Sequence, residues 1–226
     1  MKDLRTQIFL VAVMLVLGAF CTDARANLTL GFNNITANNI GDAAIGEAKL
    51  SVDIIDIGGD QVKFVFHNDG PGTSSITDIY FRDGSVLFFD SLIDFDDGVG
   101  GDAGVDFSPG ASPPELPGAS QAWKDAQFFA TDSDTPNVYL KGVNNGNPTG
   151  EWLGVVFDIN TPDFSYADVE SQFLSHDMEI GLHVQGFVSE GSESFINNGI
   201  IPAPGAILLG GIGVGLVGWL RRRRTL

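Results

Sequence analysis

Between residues 28 and 188 apolar side chains alternate with polar ones in short blocks, and glycine, asparagine, aspartate and proline separate the blocks. A two-residue period puts every second side chain on one face of an extended strand, so such a chain buries a sheet face rather than a helix stripe. Leu28, Leu30 and Phe32 alternate, as do Leu50, Val52 and Ile54, and then Val62, Phe64 and Phe66. Gly58-Gly59-Asp60 between the last two blocks is a hairpin signal, and Asp83-Gly84 between residues 76–82 and 85–90 is a second. Further blocks fall at 126–130, 137–141, 151–159 and 178–188, the last with Ile180, Leu182 and Val184 on one side and His183 and Gln185 on the other. One helix is expected after Ser165, which can cap it with Asp168 three residues on, and Tyr166, Val169, Phe173 and Leu174 would share a face. Eight or nine short strands with tight turns predict an all-β domain over residues 27–190. Its expected form is an antiparallel two-sheet sandwich, jelly-roll or immunoglobulin-like, with one short helix. Residues 96–120 read as a long surface loop, and 191–201 as a linker.

The two ends of the chain read differently. Lys2 and Arg5 precede an apolar run from Ile8 to Leu17, and Ala24-Arg25-Ala26 follows. This is the three-part layout of a secretory signal peptide, residues 1–26, handled by the Sec translocon and cut by signal peptidase between Ala26 and Asn27. The apolar run is short for a permanent span. Cys21 is the sole cysteine and leaves with the signal. The mature chain would then have no disulfide, no cysteine-ligated zinc and no thiol nucleophile.

At the other end, Pro202-Ala203-Pro204 breaks the chain before the apolar stretch 206–220, and Arg221, Arg222, Arg223 and Arg224 follow. Fifteen residues rise about 22 Å as a helix, short of the ~30 Å hydrocarbon core. Trp219 at the interface and snorkelling arginines make up part of the difference. The arginine cluster should stay cytoplasmic, with the preceding domain outside. Gly213, Gly215 and Gly218 match the spacing of a dinucleotide-binding loop. They lie in an apolar segment with no strand–helix–strand context, so that match carries no weight.

Taken together, the proline motif, the glycine-rich apolar helix and the terminal arginines resemble the PEP-CTERM sorting tail over residues 202–226. The resemblance implies a bacterial protein, exported, transiently anchored in the membrane and cleaved near the proline motif by an exosortase. It further implies a final place on the cell surface or in an exopolysaccharide or biofilm matrix. Ala203 stands where the motif usually has glutamate. The phrases VKFVFHNDGP, SSITDIYF, FSPGASPPELPG and IGLHVQGF are similar to ectodomains that precede such tails, and that similarity implies a fold but no activity.

Charge sharpens this picture. The chain has 12 basic and 29 acidic residues and a formal charge of −17. Seven of the basic residues lie in the two end segments. Residues 27–201 keep 5 basic against 27 acidic residues, about −22. Nucleic acid is therefore excluded as a default partner, since phosphate binding needs a cationic surface.

Motifs for catalysis are sparse. His67, His176 and His183 are the available bases, but no nucleophile elbow and no H-E-x-x-H pattern accompanies them. They read as ordinary polar surface. No cofactor is expected, with one exception: Asp94, Asp96, Asp97 and Asp102 crowd a glycine-rich loop of the kind that can hold Ca²⁺, without meeting the EF-hand pattern. Asp132 and Asp134 form a weaker pair. The leading reading is a non-enzymatic surface or matrix protein. One alternative is a carbohydrate-binding module using Trp123, Trp152 or Tyr80; another is a hydrolase with a carboxylate pair.

Overall fold

A computed structural model describes residues 27–82, 86–95, 105–110, 113–119, 123, 127–131, 142–144 and 151–200. The expected signal segment and the sorting tail lie outside these residues, as do the blocks at 137–141 and most of the aspartate-rich loop. Among the described residues no helix is long and apolar enough to cross a membrane.

Eleven strands and two helices make up the described chain. In order they are β1 (Leu28–Asn34), α1 (Ile40–Lys49), β2 (Leu50–Gly58), β3 (Gln61–Asn68), β4 (Ser75–Arg82), β5 (Leu87–Phe95), β6 (Phe107–Pro109) and β7 (Gln127–Thr131). Then come β8 (Val143–Asn144), β9 (Trp152–Ile159), α2 (Tyr166–Ser175), β10 (Glu179–Gln185) and β11 (Glu193–Ile200). All pairings are antiparallel. The strands form one hydrogen-bonded sheet in the order β5-β9-β3-β2-β1-β11-β10-β4-β7-β6, with β8 also on β4.

The expected alternation sets the buried face. Leu50, Val52 and Ile54 of β2 and Ile180, Leu182 and Val184 of β10 are buried. Gly58, Gly59 and Asp60 turn β2 into β3 with positive φ at all three residues, and Asp56 accepts the Gly58 N–H at 2.8 Å. The two ends of the strand order then meet through phenylalanines. Phe81 of β4 stands edge-on to Phe64 of β3 at 5.0 Å and to Phe157 of β9 at 4.8 Å, and Phe89 of β5 lies 4.9 Å from Phe129 of β7. Each edge-to-face pair adds about 0.5–1.5 kcal/mol beyond its buried area. α2 closes this core as the pattern predicts. Val169 and Phe173 are buried, and the Asp168 carboxylate accepts both the Ser165 N–H at 2.8 Å and its hydroxyl at 2.6 Å. Leu174, expected on the same face, is exposed.

Three expectations need correction. Asp83-Gly84 does not mark a hairpin: β4 pairs with β10, β7 and β8, whereas β5 pairs with β9 at the far end of the sheet. A local turn signal cannot tell a hairpin from a crossing between facing strands. A second helix, α1, is present; it buries Asp42, Ala43, Gly46 and Lys49 and so shows no stripe of large apolar residues in the sequence. Its Gly46 lies against the tip of the Phe195 ring, where an added Cβ would come within 2.1 Å. Last, the supposed linker contains β11, which sits between β1 and β10. Within that stretch Asn197 is buried, and its side-chain oxygen accepts the Ile180 N–H at 2.6 Å.

Candidate functional site

Register brings three chemically useful side chains together on the face of β10 turned away from the phenylalanine core. Ser194 of β11 lies opposite His183 of β10, and His183 lies opposite Asp78 of β4. Residues directly opposite in an antiparallel pair share a face. His183 Nδ1 is 3.1 Å from Asp78 Oδ2, and the Thr77 hydroxyl donates to the same oxygen at 2.8 Å. Aspartate, histidine and serine side by side are the residue set of a nucleophilic triad. Here the Ser194 hydroxyl is buried and makes no hydrogen bond. The set therefore lacks both the serine–histidine contact and an approach for substrate.

Two residues further along β10 the face opens into a cleft of about 740 Å³. Its floor is a row across three strands: Gln185 of β10 opposite Ser75 of β4, and Ser75 opposite Asn144 of β8. Thr73 and Ser74 line one side, and Gly186, Phe187 and the turn Glu190–Ser192 line the other. Ser75 is 1% exposed, and its hydroxyl has no hydrogen-bond partner. Both walls are tied down. Asn68 donates its side-chain amide to the carbonyls of Ser74 and Val143, each at 2.9 Å, and accepts the Ser74 hydroxyl at 3.2 Å. The Glu190 N–H donates to the Phe187 carbonyl at 2.9 Å.

Behind the second wall lies a carboxylate held by the chain around it. Glu193 accepts from the Thr36 hydroxyl at 2.5 Å, the Asn34 side-chain amide at 2.9 Å, and the N–H groups of Asn38 at 3.1 Å and Asn39 at 2.5 Å. Burial alone would raise its pKa. The hydrogen bonds from Thr36, Asn34, Asn39 and Asn38 outweigh burial and hold it below the usual carboxylate range. Asp42 of α1 accepts the Ser189 hydroxyl, fixing the same turn to the helix. Across the cleft, buried Lys49 donates to the Gly72 carbonyl at 2.6 Å, just before Thr73. Burial pushes its pKa down to about 8, against a smaller opposing effect from Asp69.

The residues singled out in the sequence are scattered. Trp123 and Tyr80 do not face solvent. They are buried with Leu116 in a small cluster over the outer face of β4, and the Tyr80 hydroxyl donates to the Pro113 carbonyl at 2.9 Å. Trp152 is half-buried, with Lys63 Nζ 5.9 Å from its ring centre. His67 ends β3 with Nε2 3.2 Å from Asp53 Oδ2, and Asp53 also accepts the Thr29 hydroxyl at 2.6 Å. His176 is exposed at the C-terminus of α2, where its positive φ ends the helix. Asp94 stands at the exposed end of β5, its pKa raised by burial of the carboxyl and by the nearby Asp106 charge, against a hydrogen bond from the Phe107 backbone. Asp96, Asp97 and Asp102 lie outside the described residues, as do Asp132 and Asp134. Among the described residues no three His, Cys, Asp or Glu side chains gather as a metal site.

Sequence reasoning missed the cleft. Ser75, Asn144 and Gln185 come from three distant parts of the chain, and none belongs to a motif. The described residues thus form an antiparallel, mostly β protein with a cleft in which hydroxyl and amide side chains predominate among the described lining residues. Comparison with known protein families, curated proteins and solved structures finds no match.

Proposed function

We propose that the chain is an exported bacterial surface or matrix protein, held in the membrane for a time by its C-terminal segment and released or displayed by cleavage near Pro202–Pro204. Its domain is read as a sandwich of jelly-roll or immunoglobulin-like type, in which β5, β9 and β3 face β4 and β7. No catalytic role is assigned to it. The observation that carries the reading is the tail itself: a proline motif, an apolar stretch at 206–220 and four arginines. Its spacing from the domain supports the same reading. β11 ends at Ile200, two residues before Pro202, so a protease at the motif would cut just outside the sheet and leave the ladder whole. The partners in this reading are the Sec translocon, signal peptidase, an exosortase and the membrane, with exopolysaccharide around the final product. Ca²⁺ at Asp94, Asp96, Asp97 and Asp102 is an optional part of it.

Mass spectrometry of the cell-surface product tests the proposal. The expected species begins at Asn27 and lacks residues 205–226. Recovery of a mature protein that keeps residues 205–226 would refute processing.

A further inference from the structure

We infer that, while the C-terminal segment holds the chain in the membrane, the domain stands with its α2 end toward the lipid surface and presents its α1 end outward. The inference rests on the reading of residues 206–220 as a membrane segment. It adds which surface meets lipid and which is left open to other partners.

The strand ladder fixes where the chain enters and leaves the domain. β1 starts at Leu28 and β11 ends at Ile200, and the two are antiparallel neighbours with Leu30 opposite Ile200. In such a pair the start of one strand lies beside the end of the other. Both segments expected in the membrane, residues 1–26 and 206–220, therefore join the domain at one pole. A domain held at opposite poles would have to lie on its side. This one is held from a single end, before and after loss of the signal.

The same ladder assigns the other elements to poles. Ile54 lies opposite Leu28, and the Tyr166 hydroxyl at the start of α2 donates to the Ile54 carbonyl at 2.9 Å. α2 thus belongs to the pole where the chain enters and leaves. So does the turn between β2 and β3, which lies beyond Ile54 along β2. Leu174 of α2 is 59% exposed, and Ile57 beside the turn is 39% exposed. The far pole holds the end of β1 and the start of β11. There α1 packs its Gly46 on the Phe195 ring, and Phe195 lies opposite Asn34. The turn leading into β11 carries Val188, which is 76% exposed.

Two lengths turn this assignment into an orientation. β1 is 7 residues long, so its ends are about 20 Å apart. Residues 201–205, between β11 and the apolar stretch, reach at most about 18 Å. Pro202 and Pro204 fix two of the φ angles in that tether. A tether no longer than the domain is tall, attached at one pole, keeps that pole nearer the bilayer. Asp163 and Asp177 are exposed beside α2 and repel anionic head groups. The tether, rather than adhesion to lipid, therefore sets the stance.

The test places the full chain in phosphatidylcholine nanodiscs that carry an acceptor dye on the head groups, and it reads energy transfer from a single donor dye. On a Cys21→Ser background the donor is attached at Asp163→Cys or Leu174→Cys for the near pole, and at Val188→Cys or Ala44→Cys for the far one. All four positions are exposed. With about 20 Å between the poles, transfer from the near pair should be at least about twofold stronger. Two positions at each pole preserve the comparison if one variant misfolds. Equal transfer from both pairs, or stronger transfer from the far pair, overturns the orientation and leaves the tail reading whole. A chain that does not co-purify with the discs refutes the membrane reading of the tail, and the orientation falls with it.

Discussion

Lys49 shows how one buried charge couples stability to the loop beside the cleft. The residue is buried, and its ammonium holds the Gly72 carbonyl. Desolvation lowers its pKa from 10.5 to about 8. In the unfolded chain the same group keeps its proton to higher pH. Between pH 8 and about 10 the unfolded state therefore binds more protons, and stability rises with pH. At about 1.4 kcal/mol for each pH unit of displacement, and discounted for solvent around the ammonium, the effect is on the order of 1–2 kcal/mol. Above pH 10 the trend reverses. Burial holds the phenols of Tyr80 and Tyr166 above their ordinary range, so the unfolded chain ionises them first. Urea unfolding at pH 7.5, 8.5 and 9.5 should show this rise in the natural chain and lose most of it in Lys49→Met. A variant that keeps the same slope would refute the assignment. None of this is legible in sequence, where Lys49 belongs to no motif and no expected element. Ser165 and Asp168 were legible because a cap is a local event. The Asp78–His183 pair was not, because its members lie 105 positions apart.

At the scale of elements, the strands that announced themselves did so through large alternating side chains. β2, β3, β9 and β10 fall where the period put them. The elements that were missed use other devices. α1 buries Ala43 and Gly46 rather than leucines, so it offers no apolar stripe to read. β11 places Asn197 inside and meets its hydrogen-bonding need there. The two missed elements touch, since the Phe195 ring of β11 occupies the space a side chain at position 46 would need. Gly46→Ala should gain helix propensity of about 1 kcal/mol and lose more to overpacking, for a net destabilisation of about 1–2 kcal/mol. Phe195→Leu, which costs stability alone, should relieve part of that clash, so the double variant should be more stable than the sum of the two changes predicts. Strict additivity in a chemical-denaturation cycle would show that the ring and the glycine do not constrain one another.

For the whole molecule the governing quantity is charge. Of the cations in the described residues, Lys49 is spent on a backbone carbonyl, and Lys63 lies over Trp152. Arg82 donates two hydrogen bonds to Glu179, at 3.2 and 2.5 Å, and lies over Trp123. All three are committed to local contacts, so most carboxylates repel one another through water. A fold this acidic should gain stability as salt screens that repulsion, because the Debye length shrinks from about 30 Å at 0.01 M to about 8 Å at 0.15 M. Raising NaCl over that range should lift Tm by several degrees. The same background sets the control for calcium at the Asp94–Asp102 loop. Any divalent ion screens, so Ca²⁺ must be compared with Mg²⁺ at equal concentration and with NaCl at equal ionic strength. If the loop chelates, Ca²⁺ at about 1 mM raises Tm beyond both controls, by the amount that saturating a native-state ligand supplies. EDTA then removes the increment, and Asp96→Asn with Asp97→Asn abolishes it while the NaCl response persists. Identical curves with Ca²⁺ and Mg²⁺ would sink the site and leave a charge effect that belongs to the whole surface.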